Sequence, residues 1–442
     1  MAGPGGMRQV LSRVVLVGAL GYFVDIYDLL LFSIVRNPSL TALGVAKADL
    51  LDVGGNLFMW QMAGLLLGGI VWGVLGDKRG RRSVLFGSIA LYSLANLANA
   101  AVTTVPMYAA VRFLAGLGLA GELGAAVTLV SEALPAKLRG YGTMVVSAVG
   151  ILGAAAGFFV SQLDWRLAYV TGGVLGLFLL VLRIAVAESG MFKRNAKSGA
   201  SSERGDLRMF AGSRQSTGFV WFRGNGDRLA RLGKVFLVGM PLWCAIGIIV
   251  TFSPEVAGAL RIQGTVEAGK AVLVAYVGAS MGSLGSGALS QLLRSRRRAI
   301  LLFIDFTLLV SGAFLLLHGA SSTLFYALCA ALGFGVGYWA VFVQVAAEQF
   351  GTDLRATVAT AAPNLVRGSV LFFVPAFRWL APSLGLAASA ILLMAASLGL
   401  ALLAAWSLRE TYGVDLDFTE SAVAQDLQLR IRRPGPSDAG PP

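Results

Sequence analysis

Apolar residues fall in twelve long runs separated by short polar breaks: 13–35, 53–76, 83–103, 106–130, 141–163, 167–187, 233–256, 269–293, 299–318, 321–347, 357–380 and 384–407. A helix rises ~1.5 Å per residue and needs about 20 apolar residues to cross a bilayer. Every run has that length and few charges. The pattern predicts an all-α membrane protein with twelve transmembrane helices. The first run is too long, and too polar in its middle, for a cleaved leader.

The polar breaks set the orientation. Lys and Arg crowd the loops after even-numbered runs: Lys78, Arg79, Arg81 and Arg82; Lys137 and Arg139; Arg294, Arg296, Arg297 and Arg298; Arg355. Between Lys193 and Lys234 stand ten Lys/Arg against three acids, Glu203, Asp206 and Asp227. Loops after odd-numbered runs, such as Thr103-Thr104-Val105, carry few Lys or Arg. Basic loops stay in the cytoplasm, so both termini are expected there. The expected organisation is an N-terminal six-helix bundle over 1–191, a basic cytoplasmic linker over 192–232, a C-terminal six-helix bundle over 233–411 and a partly disordered cytoplasmic tail over 412–442.

Composition narrows the class further. Charged residues make up 13% of the 442 and hydrophobic ones 56%, against roughly 25% charged in soluble domains. The 56 glycines suit helices that pack closely in lipid. The net charge of +13 sits in loop clusters, not on one face, so it reads as topology and not as a nucleic-acid surface. Cys244 and Cys329 lie inside apolar runs and are expected as buried thiols, and His318 is the single histidine. No metal or cofactor is therefore expected. With no Walker loop and no nucleophile–His pair, an enzyme is not expected either. The expected partners are a small solute, protons and the lipid bilayer, with the chain as a monomer.

The two halves echo each other. Glu132 and Arg139-Gly140 follow the fourth run; Glu348 and Arg355-Ala356 follow the tenth, 216 residues later. GVLGDKRGRR (Gly73 to Arg82) follows the second run and GALSQLLRSR (Gly287 to Arg296) the eighth, 214 residues later, with Gln291 in place of Asp77. Glu188-Ser189 and Glu410-Thr411 close the two halves. Repeated bundles around a midplane site are the architecture of alternating access. The loop charges are then candidates for a cytoplasmic gate: Gly73, Asp77, Gly80, Arg81, Arg82, Glu132, Arg139, Glu348 and Arg355. The alternative is that they only fix topology.

Charges inside the runs carry the candidate chemistry, because each costs at least ~2.5 kcal/mol at the bilayer centre. Six lie well inside their runs: Asp25, Asp28, Arg112, Glu122, Asp305 and Arg367. Asp25 lies ~18 Å along the first helix from Arg13, near the midplane. Asp28 is one i,i+3 step away, on the same face. Two close carboxylates suit proton coupling or substrate contact; hydrogen bonding to a neighbouring helix is the alternative. Arg367, with Asn364 on its face, needs an anion, either Asp25 or the solute. Arg112 and Glu122 are candidates for substrate or proton contact, or for a structural ion pair. Asp305 is read as structural, paired with the Arg296–Arg298 cluster. Among the aromatics Tyr22, Tyr27, Trp60, Trp243, Tyr338 and Trp339, the last two, after Gly333, Gly335 and Gly337, are the better cavity candidates.

These residues also resemble the major facilitator superfamily over nearly the whole chain. GVLGDKRGRR matches that family's loop 2–3 motif at each defining position. Arg112, Gly116, Gly118 and Gly121 resemble its helix-4 motif. SEALPAKLRG (Ser131 to Gly140), AEQFGTDLRAT (Ala347 to Thr357) and LRETYGVDLDFTE (Leu408 to Glu420) resemble segments of sugar porters and organic-ion transporters. Glu122, Glu132 and Pro135 have the spacing of metabolite–proton symporters, and VDIYDLLLF (Val24 to Phe32) is similar to helix 1 of phosphate and organic-acid symporters. The second loop motif lacks its Asp and Gly. The fifth run (Gly150, Gly153, Gly157) lacks the Pro of drug–proton antiporters. The resemblance implies a secondary active transporter of the bacterial inner membrane, with helices 1, 4, 7 and 10 facing the cavity. It points to proton symport of a small polar solute, best an organic anion. A sugar, amino acid or cation, or a non-transporting sensor or scramblase on the same fold, are the alternatives.

Overall fold

The computed structural model describes residues 13–79, 81–121, 136–197 and 226–413; at 13–14, 73–74, 76–79, 81–83, 136–145, 147–148, 186–197, 352–357 and 360 it describes the backbone alone. Helix follows helix: α1 (Arg13–Ala42), a 3-10 turn (Lys47–Asp49), α2 (Leu50–Arg79), α3 (Arg81–Ala100), α4 (Val105–Leu119), α5 (Ala136–Ser161), α6 (Trp165–Lys197) and α7 (Gly226–Cys244). A π-helical stretch (Ala245–Val250) carries α7 into the short α8 (Ser253–Ala259). Then come α9 (Ala268–Leu292), α10 (Arg296–Ala313), α11 (Ser322–Val336), α12 (Trp339–Glu348), α13 (Thr352–Arg367), α14 (Val370–Leu384) and α15 (Leu386–Ser407).

Among the described residues, nine helices are long and apolar enough to cross a membrane, and Val84–Ala100, Val105–Leu119 and Val149–Ser161 are shorter apolar helices. Local chemistry sets several boundaries. Thr104 accepts from the Met107 amide to cap α4, Ser295 from Arg298 to cap α10, and Ser321 from Leu324 to cap α11. Gly385, at φ 79°, turns the chain between α14 and α15, a conformation open to glycine at little cost. Helix continues to Lys197 and resumes at Gly226, so the segment expected as a linker at 192–232 is helical at both edges; residues 198–225 and the tail beyond 413 lie outside the described residues.

Three single apolar runs come out as broken helices. The seventh bends at Thr251–Phe252, the tenth at Gly337–Tyr338 and the eleventh at Gly368–Ser369. At two of these breaks a neighbour presses against a glycine. A Cβ on Gly337 would lie 2.6 Å from Gly282 backbone atoms, and one on Gly368 would lie 2.5 Å from the Leu66 side chain. Hydropathy is blind to such contacts, because the residues on both sides of each break are apolar.

Helix packing repeats between the halves. In α2 and α4, a Cβ on Gly64 would sit 2.0 Å from the Phe113 carbonyl oxygen, and one on Gly116 would sit 2.0 Å from that of Gln61. In α9 and α11, a Cβ on Gly278 would lie 2.0 Å from the Ala330 oxygen, and one on Gly333 would lie 1.8 Å from the Ala275 oxygen. Small residues let the backbones touch. The first half is held by α1 on α5, α2 on α4 and α3 on α4 and α6; the second by α9 on α11 and by α15 on α7, α10 and α14. Across the halves, α9 meets α1 and α5, while α2 meets α13 and α14. The polarity is that of a protein solvated by lipid. Phe372, Trp379, Leu403 and Trp406 are exposed, while Asp25, Asp28, Arg36, Arg112 and Arg367 are buried.

Candidate functional site

The junction of the halves holds an ion pair. Asp25 comes from the middle of α1, and Arg367 from the last turn of α13, just before the break at Gly368. Arg367 Nη2 donates to Asp25 Oδ2 at 2.9 Å, and both side chains are almost wholly buried. The internal partner foreseen for Arg367 is thus present. It does not saturate either group. Nε and Nη1 of Arg367 and Oδ1 of Asp25 are buried without a hydrogen-bond partner among the described residues. Asn364, one turn before Arg367, donates through Nδ2 to the Ala120 carbonyl at the end of α4, at 3.0 Å, while its Oδ1 has no partner among the described residues.

Two tyrosines lie near the pair. Tyr22, one turn before Asp25, lies beside Trp339 of α12 and within electrostatic reach of Asp25 and Arg367. Tyr276 of α9 is in reach of the same groups. The indole N–H of Trp243 in α7 is buried without a partner among the described residues. Tyr276 was missed in the sequence reading, because one tyrosine in an apolar run carries no sign of which way it faces. Tyr338 behaves differently: its hydroxyl donates to the Val238 carbonyl at 2.7 Å, which ties the break before α12 to α7.

Asp28 belongs to a second centre, within the first half. Both its oxygens are buried, with no hydrogen bond of ordinary geometry among the described residues; Arg112 of α4 is its opposite charge, and the Asn96 side chain lies beside it. Gly172 of α6 makes room for it, since a Cβ there would lie 2.4 Å from Oδ1. The Arg112 guanidinium sits 5.8 Å from the Phe32 ring centre and 5.5 Å from that of Tyr169. Its Nη1 reaches Asn96 Oδ1 at 3.5 Å. Tyr169 and Tyr108 share a 2.6 Å hydrogen bond between hydroxyls, and Tyr108 donates to Ser39 Oγ at 3.3 Å. The two aspartates share a helix face in sequence but have different cations in space.

The other expected residues divide by what is described. Glu348 pairs with Arg296, Oε2 to Nε at 2.9 Å, so the tenth-run acid engages the start of α10. Asp305 lies on the exposed face of α10 and makes no ion pair among the described residues. The expected pairing with the Arg296–Arg298 cluster is not among the ion pairs of the described residues: Asp305 lies two helical turns, ~10 Å, beyond Arg298, and Arg296 pairs with Glu348. Gly80, Glu122 and Glu132 lie outside the described residues; Gly73 lies in α2, and Asp77, Arg81, Arg82, Arg139 and Arg355 are in helices described by backbone alone. Cys244 and Cys329 are buried thiols. Among the described residues no three His, Cys, Asp or Glu come together to hold a metal.

Comparison with known proteins agrees with this architecture. A family model described as Major Facilitator Superfamily matches residues 18–375. The chain is 34% identical over 162 residues to a 3-(3-hydroxy-phenyl)propionate transporter of Escherichia coli, covering 35% of this chain and 40% of that protein. It is 33% identical over 186 residues to the 4-hydroxybenzoate transporter PcaK of Pseudomonas putida, covering 41% of each. A probable 4-methylmuconolactone transporter of Cupriavidus pinatubonensis aligns over 362 residues at 27% identity, covering 78% of each. The first two alignments span less than half of those relatives' length. In fold, the chain is similar to the proton:xylose symporter XylE bound to 6-bromo-6-deoxy-D-glucose, with a TM-score of 0.62 and 18% identity, over 92% of this chain and 98% of the other. The chain belongs to the Major Facilitator Superfamily.

Proposed function

We propose that this protein is a secondary active transporter, not an enzyme, that carries a small organic anion with a proton across a bacterial inner membrane. The reading has twelve spans in two six-helix bundles, with both termini in the cytoplasm. The observation that carries it is Arg367: a buried guanidinium at the junction of the halves with two nitrogens unpartnered among the described residues. Such donors suit a carboxylate, which accepts planar, two-pronged hydrogen bonds from guanidinium. Tyr22 and Tyr276 in its electrostatic reach, with Trp339 against Tyr22, supply flat walls for a ring. Relatives named for 4-hydroxybenzoate and hydroxyphenylpropionate support an aromatic carboxylate as the first ligand to try.

Coupling follows from competition for one cation. While Asp25 is charged it holds Arg367; once Asp25 takes a proton, Arg367 is released to a substrate carboxylate. Asp28, beside Arg112, is the second proton site. The loop charges Asp77, Arg81, Arg82, Glu132, Arg139, Glu348 and Arg355 form the cytoplasmic gate. Purified protein should be melted with 4-hydroxybenzoate and with its uncharged amide, since a ligand that binds only the folded state raises apparent stability. Stabilisation by the acid alone, lost in Arg367→Gln, is the expected result. Equal response to acid and amide would move the reading to a neutral solute. In proteoliposomes, uptake of the acid that ignores an imposed pH gradient would remove proton coupling.

A further inference from the structure

Arg36 stands near the end of α1 and is completely buried. Its guanidinium reaches two other segments. Nη1 donates to the Leu50 carbonyl at the start of α2, at 3.1 Å. Nη2 donates to the Thr251 carbonyl at 3.3 Å and to both carboxylate oxygens of Glu255 at 2.7 Å each. The Phe252 ring centre lies 4.6 Å from the guanidinium carbon. Gly54 of α2 leaves space for the stem, because a Cβ there would be 2.7 Å from Arg36 Cδ. Beside it, Thr251 donates through Oγ1 to Ser33 Oγ of α1 at 3.0 Å.

All of these second-half contacts fall on one segment. It begins where the π-helical stretch ends at Val250, passes the break at Thr251–Phe252 and continues as α8. π-Helical turns and breaks mark places where a helix can bend. At the same end of the bundle Arg378 of α14 crosses to α2, with Nε on Asp52 Oδ1 at 2.6 Å and Nη1 on Asn56 Oδ1 at 2.8 Å. That pair is exposed, with Asp52 two-thirds open to solvent, so it contributes little. The Arg36–Glu255 pair is different: separating it would strand a buried charge.

We propose that Arg36 is a latch on the outer gate. It holds the end of α1, the start of α2 and the bent 251–259 segment together while that side is shut, and Glu255 must leave it for the side to open. The latch rests on the alternating-access reading, with α1 ending at the outer face.

The test uses Ser33→Cys, whose parent side chain is buried under the latch. The native thiols are both buried, so background labelling is low. An impermeant maleimide is added to right-side-out vesicles. Labelling should be slow with Arg36 present and should quicken about ten-fold or more in Arg36→Gln/Glu255→Gln, because removing the pair shifts the population toward the open state. The double variant leaves neither charge stranded. Spin labels at Asp49→Cys and Thr265→Cys, both at exposed loop positions, should show a longer-distance population in the same background. Unchanged labelling and unchanged distances in a folded double variant would overturn the latch. If labelling quickens only in inverted vesicles, the latch stands and the assigned orientation falls.

Discussion

Arg367 and Asp25 illustrate how a buried charge differs from a buried pair. Each alone would be costly in this interior. Together they share one 2.9 Å contact and leave two donors and one acceptor unpartnered. Removing one member of a buried pair costs ~3–5 kcal/mol, because the other is stranded. Arg367→Gln and Asp25→Asn should therefore each lower the melting temperature, while the double variant regains part of the loss. Residues in direct contact couple by ~0.5–3 kcal/mol in a double-mutant cycle, and melting of the four proteins measures it. Strict additivity would mean that the pair is not formed. Binding separates the second role: the double variant, though refolded, should show no stabilisation by 4-hydroxybenzoate if Arg367 holds the carboxylate.

At the scale of helices, close approach replaces hydrophobic drive, since lipid is as apolar as leucine. The contact of α9 with α11 leaves no room for a methyl group, with Gly333 set against the Ala275 carbonyl. Gly333→Ala and Gly116→Ala should each destabilise by ~1–3 kcal/mol through overpacking. Gly399, with nothing near its Cβ position, is the control; Gly399→Ala should be neutral or stabilising by ~1 kcal/mol through helix propensity. Equal melting of all three would mean that the glycines do not set helix spacing. Glu410 closes another junction. Burial would raise its carboxyl, but hydrogen bonds from Ser295 and from the Tyr412, Arg296 and Arg297 amides outweigh that and hold it below the ordinary carboxylate range. A lowered folded value stabilises the protein above the unfolded value of ~4.3 and is lost as pH falls through the folded one. Glu410→Gln should thus lower stability at pH 7 by ~1 kcal/mol, the scale of a lost helix cap. It should also flatten the melting profile on the acid side, and a profile unchanged by the substitution would remove the cap. The helices themselves were legible in sequence, because runs of about 20 apolar residues have few other uses. Their breaks were not: those at Gly337 and Gly368 depend on what a neighbour presses against the chain, and the one at Thr251 follows a π-helical stretch inside an unbroken apolar run.

For the whole molecule, the position of charge matters more than its amount. Asp25, Asp28, Arg112 and Arg367 stood out because a charge in an apolar run demands a partner, and Asp25 as the partner of Arg367 was one of two readings left open. Arg36 was passed over because it sits near the end of a run, where a basic residue reads as a topology signal; Glu255, its partner, lies 219 positions away. The structure separates two centres that the i,i+3 spacing had merged. Asp25 bridges the halves through Arg367, whereas Asp28 stays within the first half beside Arg112. A group that bridges the halves changes its surroundings when they move. A group inside one half keeps its cation through the cycle, so its proton can be carried without breaking the cavity wall. Asp28→Asn mimics the protonated form permanently. It should still bind the aromatic acid and still exchange labelled for unlabelled acid across the membrane, since exchange needs no net proton movement. Gradient-driven accumulation should be lost. Both rates can be read in the same proteoliposomes, with exchange at equal pH on both sides and accumulation under an imposed gradient. Accumulation that survives in Asp28→Asn would leave Asp25 as the only proton carrier, and the centre around Arg112 would then be packing.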